Sequence, residues 1–167
     1  NFFKKVGSKV IINEDNNTKT INISVEEKPT GEIYATAGAG TSGGSFGFGV
    51  KENNFLGNGI GLDTNFELTS ETFKGKFSVT NPNFNNTDKT LYISAESSEN
   101  DNYQNFGYKT NKTGLIIGTN FEYLNDFYLG LSNSNFYEVI RTNSTASAQQ
   151  QAQEGNYWDS FIKLDFN

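Results

Sequence analysis

Few residues of this sequence have the chemistry of a catalytic or metal-binding site. The chain contains no Cys and no His, which excludes thiol catalysis, Ser-His-Asp triads and the usual zinc sites. Asp63 and Glu67 are the carboxylates that most suggest an acid–base pair, because both fall on one face of a predicted strand. The other residues of that face are also polar, so we interpret the two carboxylates as part of a water-facing lining.

Two further segments have the composition of a ligand site. Glu96–Asn105 (ESSENDNYQN) is acidic enough for Ca²⁺, but it lacks the Gly and the terminal Glu of an EF-hand loop. Gly38–Gly47 (GAGTSGGSFG) is rich in Gly, but it lacks the Lys-Ser/Thr and the following helix of a phosphate loop. We interpret the first as a solvated loop and the second as a hairpin turn. The sequence therefore predicts a protein that is not an enzyme and has no cofactor or metal.

Composition narrows the class of protein further. The net charge of −6 makes a nucleic-acid partner an unfavourable hypothesis. Hydrophobic residues are only 34% of the chain, yet aromatic residues reach 14%, which is too high for a disordered chain. No apolar run is long enough for a transmembrane helix. Because the sequence starts at Asn1 with neither an initiator Met nor a signal peptide, we interpret it as a fragment of a longer protein.

The first part of the chain differs from the rest. Val6–Asn13 and Lys19–Glu27 are charged, β-prone runs separated by the turn-rich EDNN of residues 14–17. This pattern predicts a hairpin at the end of a small soluble domain, with Asn1–Lys5 as the end of a helix. Pro29 closes the segment.

From Thr30 onward the apolar residues follow a period of two, which predicts about eight antiparallel strands in a meander. In one strand Ile60, Leu62, Phe66 and Leu68 share a face opposite Gly61, Asp63, Asn65 and Glu67, and in the next Phe77 and Val79 oppose Lys76 and Ser78. Later runs are Leu91–Ala95, Leu115–Tyr123, Phe127–Leu131 and Trp158–Phe166. No segment has a sustained helical period.

Alternating strands fit either a soluble sandwich or a membrane barrel, whose apolar face meets lipid and whose polar face lines the lumen. The connections predicted at Ser97–Thr110 and Arg141–Asn156 are long and polar, whereas those at 52–58, 81–89 and 124–126 are shorter. Both long connections follow odd-numbered strands, so they lie at one end of the sheet, as the extracellular loops of outer-membrane barrels do. This asymmetry favours the barrel.

Two stretches resemble the BamA family of outer-membrane protein assembly factors. Val25–Leu62 is similar to the family's passage from the last POTRA domain into its first barrel strands, and Val79–Phe84 (VTNPNF) is similar to the turn after its fourth strand. The resemblance implies the end of an α+β POTRA domain at residues 1–28, followed at residues 29–167 by roughly the first half of a sixteen-stranded transmembrane β-barrel. The family's VRGF motif belongs to the second half and is absent here.

The resemblance also implies a function and its residues. Family members fold client barrels into the outer membrane by pairing a client strand with a lateral seam, a form of β-augmentation. The seam strand here would be Thr30–Gly40, with Ile33, Ala35, Ala37 and Ala39 on one face. The residues expected to face lipid are Ile60, Leu62, Phe66, Leu68, Phe77 and Val79. The implied partners are unfolded outer-membrane proteins, lipoproteins of the assembly complex and outer-membrane lipids, with the N-terminal segment in the periplasm.

Other interpretations remain open at this point. A complete eight-stranded barrel would be a structural or adhesive membrane protein, a soluble β-sandwich would be a binding module, and a translocation-and-assembly relative would share the fold but handle other clients. The small residues of the first strand could simply fit a curved barrel wall. Glu26, Glu27 and Glu32 could contact a lipoprotein, although solvated charges are the simpler interpretation.

Overall fold

The computed structural model describes residues 3–13, 18–40 and 43–167, with Asn13 described by its backbone alone. The chain divides into two compact units, Asn1–Gly31 and Glu32–Asn167. Each unit forms its own antiparallel sheet, one of two strands and one of eight. The predicted all-β antiparallel fold is therefore confirmed.

The first unit is a hairpin of β1 (Phe3–Asn13) and β2 (Thr18–Glu27). It confirms the predicted strand pair, whereas the EDNN turn lies outside the described residues. The predicted helix end is wrong, because β1 already includes Phe3 and Lys5, and Lys4 Nζ lies 2.9 Å from Glu26 Oε1 on β2. The described residues of this unit include no helix. The POTRA assignment of residues 1–28, and the boundary to 29–167, stay predictions.

The second unit is a meander in which each strand pairs with the next along the chain. Its strands are β3 (Gly31–Gly40), β4 (Gly43–Phe55), β5 (Ile60–Thr69), β6 (Thr72–Asn81), β7 (Thr90–Asn102), β8 (Tyr108–Leu124), β9 (Phe127–Thr142) and β10 (Gly155–Phe166). The connections that the structure describes contain three short helical segments: Phe84–Asn86 (a 3-10 turn), α1 (Tyr103–Phe106) and α2 (Ala148–Gln151). Among the described residues, no helix has both the length and the apolarity to cross a bilayer.

Alternation along the strands separates an apolar face from a polar face. In β5 and β6 the register pairs Leu62 with Val79 and Thr64 with Phe77 on one face, and Asp63 with Ser78 on the other. We define the apolar face by the residues of this first set and their register partners across the sheet, and the polar face by those of the second. The apolar face includes Phe46, Phe48, Leu62, Phe66, Leu68, Phe73, Phe77, Val79, Ile93, Ala95, Leu115, Ile117, Leu131, Tyr137, Trp158, Ile162 and Leu164.

Burial on the two faces is the inverse of that in a soluble protein. In β9, Ser132 and Ser134 of the polar face are only 5% and 4% exposed, whereas Leu131 of the apolar face is 47% exposed. The polar face is thus the enclosed, concave side of a curved sheet. Such an arrangement is stable where the outer solvent is hydrocarbon and the inner one is water.

The eight-stranded sheet is a single layer. Within the described ranges, buried apolar side chains are limited to Phe136 and Ala146. No second sheet covers the apolar face inside this unit, so the soluble sandwich is not the observed architecture. Nor is the sheet a closed eight-stranded barrel, because β3 and β10 stand at opposite ends of the strand order.

The apolar band shifts along the strands from one side of the sheet to the other. Phe73 of β6 is paired with the apolar Leu68 on β5, but with the charged Glu99 on β7. On β7 the apolar residues of this face, including Ile93 and Ala95, lie nearer the start of the strand. Stagger of this kind is what tilted barrel strands require.

The predicted loop at Ser97–Thr110 is largely wrong. Strands β7 and β8 continue through this segment, and their register extends to the pair Asn102 and Tyr108. Only α1 and Gly107 lie between the strands. The error has a physical cause: residues 97–102 are polar on both faces, so the alternation signal is lost although the backbone ladder continues. The connection after β9 is long, as predicted, and includes α2.

Candidate functional site

The candidate site is β3, because it is an edge strand of the eight-stranded sheet in the described part of the chain. An edge strand presents backbone N–H and C=O groups that can pair with another strand. Every residue of β3 is exposed. The site is therefore a backbone surface rather than a pocket of reactive side chains.

Close contacts with β4 establish the orientation of β3. Gly38 lies beside Ser45, Gly47 beside Thr36, and Gly49 beneath the ring of Tyr34. Since Gly47 and Gly49 belong to the polar face, Tyr34, Thr36 and Gly38 do as well. The four predicted seam residues, Ile33, Ala35, Ala37 and Ala39, therefore all lie on the apolar face.

The same spacing places Ala37 across from Phe46 and Ala35 across from Phe48. An Ala–Phe pair buries less area than the pairs of larger residues found inside the sheet, such as Leu62 with Val79. Gly38 and Gly40 weaken the strand further, because glycine has the most conformational freedom to lose. From Ala35 to Gly40 the side chains of β3 are therefore small, whereas the ring of Tyr34 packs on Gly49 of β4.

The residues expected to face lipid lie together on the apolar face. Phe66, Leu68 and Phe77 are 45%, 53% and 48% exposed, respectively. Ile60, Leu62 and Val79 are half-buried between their neighbours. The structure thus brings the six residues onto one surface, and their contact with lipid stays a prediction.

The carboxylates Asp63 and Glu67 do not form an acid–base pair. They are four residues apart on β5, which separates them by about 13 Å, well beyond the spacing of a glycosidase pair. Glu67 lies 3.8 Å from Lys74, and Asp63 is the register partner of Lys51 and Ser78. Both residues belong to the polar face, in accord with the lining interpretation.

The acidic segment of β7 forms an ion-pair cluster with Lys109 of β8. Lys109 Nζ donates to Glu99 Oε1 at 2.8 Å and to Asp101 Oδ2 at 2.9 Å, and Asn111 Nδ2 donates to Glu99 at 3.3 Å. The cluster lies on β7 and β8 past the apolar band. In the ranges that the structure describes, no group of three or more acidic residues is arranged to hold a metal ion.

Hydrogen bonding within this cluster shifts the carboxyl groups. The bond from Lys109 lowers the pKa of Glu99, and the bond from Asn111 lowers it further. The pKa of Asp101 is also lowered, first by the bond from Lys109 and then by the backbone N–H of Tyr103. Both carboxylates therefore stay charged to a lower pH than they would without these hydrogen bonds.

A second ion-pair cluster was not predicted from the sequence, and it lies on the polar face. Lys112 Nζ lies 3.0 Å from Asp159 and 3.6 Å from Glu138, and 5.2 Å from the ring centroid of Phe136. Phe136 in turn stacks on Phe161. These residues are distant in sequence, and the strand register alone brings them together.

Glu26 has an ion-pair partner within the first unit. Glu26 pairs with Lys4, which supports the interpretation of solvated charges for that residue.

Tyr123 and Phe127 make an edge-to-face contact beside the short turn after β8. Near the start of β10, the ring centroid of Trp158 lies 5.2 Å from that of Tyr137. Aromatic residues thus lie toward both ends of the sheet, where interfacial girdles lie in membrane barrels.

These features define the class of fold as part of an outer-membrane-type β-barrel, with an apolar exterior and a charged, enclosed interior. The sequence matches no known protein-family model. Nor does it match a curated protein.

Among solved structures, the chain is similar to the crystal structure of BamA from Haemophilus ducreyi lacking POTRA domains 1–3. The TM-score is 0.72, with 20% sequence identity over 99% of this chain and 34% of that chain. This chain therefore spans about a third of that chain's length. At this level of identity the similarity confirms a BamA-like barrel fold.

Proposed function

We propose that this chain forms the first half of an outer-membrane β-barrel that folds and inserts other barrel proteins. In this proposal a strand of the client pairs with the edge of β3 at a lateral seam. The observation that carries the proposal is the position of β3: it lies at the edge of a sheet whose apolar side chains point outward, and from Ala35 to Gly40 it contains only Ala, Thr and Gly. The BamA-like fold supports the same function.

The proposed action requires no covalent chemistry. A client strand in hydrocarbon has unpaired N–H and C=O groups, each of which costs several kcal/mol. Pairing with β3 satisfies these groups on one side of the client strand. The gain is directional, because backbone hydrogen bonds form only in register. An accessible edge is therefore sufficient to nucleate the client's sheet.

The two faces of the sheet support the proposed location in the outer membrane. The apolar face fits the acyl chains of the outer membrane, and the N-terminal unit would lie in the periplasm. The partners in this proposal are unfolded outer-membrane proteins, lipoproteins of an assembly complex and outer-membrane lipids. The net charge of −6 disfavours binding to the phosphate backbone of a nucleic acid.

A disulfide lock tests the seam. Cysteines replace Ala37 and the facing residue of the last barrel strand in the full-length protein, and client insertion is measured with the pair oxidised and then reduced. We expect oxidation to block insertion and reduction to restore it. The control places cysteines at Phe77 and Ala95, register partners on β6 and β7, where a crosslink joins strands that are already paired. Insertion that continues with Ala37 locked would refute the seam.

A further inference from the structure

The ring of Tyr34 lies across the neighbouring strand. A Cβ atom built on Gly49 of β4 would overlap the Cζ, Oη and Cε1 atoms of that ring. Gly49 is buried, and Tyr34 is 41% exposed. Tyr34 can therefore occupy this position only because residue 49 has no side chain.

This position turns the bulkiest polar-face side chain of β3 toward β4 and so away from the strand's other side. On the same face the residues that follow are Thr36 and Gly38. On the apolar face the corresponding residues are Ala35 and Ala37. Between residues 34 and 40, no large side chain of β3 therefore extends over the edge that is not paired with β4.

We propose that Tyr34 and Gly49 are a positioning pair for strand addition: Gly49 holds the Tyr34 ring over β4 and thereby keeps the edge of β3 accessible to an incoming strand. This inference rests on the proposed function, since it assigns a device to the same edge. It adds a steric requirement to the backbone pairing. The ring of Tyr34, rather than its hydroxyl, is the group that matters.

The steric requirement follows from rotamer geometry. A methyl group at position 49 excludes the ring from its present place, and the remaining staggered rotamers of Tyr34 lie along β3 or over its unpaired side. A ring over that side occupies the space of the client's neighbouring side chains. Gly49→Ala is therefore expected to obstruct pairing without removing any hydrogen-bonding group from β3.

The sheet contains a matched pair for comparison. Tyr92 of β7 covers Gly118 of β8 in the same way on the same face, and Gly118 is also buried. Both of these strands lie inside the sheet and have neighbours on either side. Gly118→Ala thus imposes the same local overlap where no edge is affected.

The experiment measures strand addition directly. The full-length protein carries Ala37→Cys and is mixed with a urea-unfolded small outer-membrane barrel protein that has one cysteine in its last strand. The rate of disulfide formation between the two is followed, and heat-modifiable gel mobility confirms that each variant is folded. The variants are Gly49→Ala, Tyr34→Phe, Gly49→Ala with Tyr34→Ala, Gly118→Ala and Ala35→Trp.

We expect Gly49→Ala to slow crosslinking at least about fivefold, which corresponds to about 1 kcal/mol. Tyr34→Phe and Gly118→Ala should retain the original rate, and adding Tyr34→Ala to Gly49→Ala should restore it. Ala35→Trp should also slow the reaction, because Phe48 prevents a ring at position 35 from folding over β4. That variant alters an exposed apolar-face residue, so it also tests the steric premise if Gly49→Ala does not fold.

The outcomes separate the two proposals. Absence of crosslinking with Ala37→Cys alone would refute strand addition at β3 and hence the proposed function. If that protein crosslinks normally, any one of three results would refute the positioning pair alone. These are an unchanged rate in Gly49→Ala, no rescue of Gly49→Ala by Tyr34→Ala, and an equal loss of rate in Gly118→Ala. With Gly49→Ala unfolded, an unchanged rate in Ala35→Trp would refute it.

Discussion

Lys112 of β8 and Asp159 of β10 form a 3.0 Å ion pair that crosses the intervening strand β9. Below the ammonium group lies the ring of Phe136, a β9 residue that is only 9% exposed. The pair thus links three strands on the polar face through one side chain. Glu138 lies 3.6 Å from the same nitrogen, so a single cation serves two carboxylates.

Loss of this cation should destabilise the sheet. We expect Lys112→Met to lower the free energy of unfolding by about 0.5–1.5 kcal/mol, because two partly exposed carboxylates lose their shared partner. Lys74→Met is the control, since Lys74 lies 3.8 Å from Glu67 and both side chains are more than half exposed. Its effect should stay within about 0.5 kcal/mol. Urea unfolding of the full-length protein in lipid vesicles measures both, and equal effects would contradict the network.

A charge on the apolar face should be far more costly than the same charge on the polar face. We expect Phe77→Arg to destabilise the folded protein by about 2–4 kcal/mol, the cost of Arg near the bilayer midplane. Asn65→Arg places the same side chain on the polar face, beside Lys76, and should cost less than about 1 kcal/mol. The measurement is again equilibrium unfolding in vesicles. If Asn65→Arg proved the more damaging substitution, the faces would be reversed relative to lipid.

The faces of β4, β5 and β6 could be predicted from sequence because only one of them is apolar. A period of two then marks both the strand and its orientation, as in Leu62 with Phe66 against Asp63. The same reasoning failed at the ends of β7 and β8. There Glu99 and Lys109 lie on the same face as the apolar residues Ile93 and Ile117. The composition of these strand ends therefore resembles that of a loop, although the backbone pairing of β7 with β8 continues.

Two contacts on the polar face could not be predicted from the sequence. Tyr34 meets Gly49, and Lys112 meets Asp159, only because the strands have one particular register. A shift of register by one residue would move each of these side chains to the other face. The Ala and Gly content of β3 predicted a strand with little side-chain packing. It did not predict the direction in which the Tyr34 ring points.

The ion cluster of Glu99, Asp101 and Lys109 should make the polar ends of β7 and β8 sensitive to acid. Because both carboxyl pKa values are lowered in the folded state, their stabilising effect is complete above the ordinary carboxyl range and is lost as the pH falls below about 4. We expect amide protection factors at residues 99–111 to fall in that window while those of β5 do not.

Lys109→Met tests the origin of this acid response. The variant should already have low protection at residues 99–111 at neutral pH and should show little further loss in acid. Lys76→Met removes the partner of Glu96, 3.2 Å away in the same sheet, and should leave residues 99–111 as they are. An unchanged acid response in Lys109→Met would show that other groups control these strand ends.

The turn after β4 should be stabilised by removal of a side chain. Leu56 has a φ of 54° and is 79% exposed, so its Cβ is strained without packing that compensates. Leu56→Gly should raise the free energy of unfolding by about 0.5–1 kcal/mol. Gly57, with a φ of 74°, gives the converse: a Cβ there meets no atom within 4 Å, so Gly57→Ala should cost about 1 kcal/mol for conformational reasons alone. Leu124→Gly, at the exposed last residue of β8, should be destabilising. If Leu56→Gly instead weakened the protein as Leu124→Gly does, the Leu56 side chain would have to make a favourable contact outside this chain.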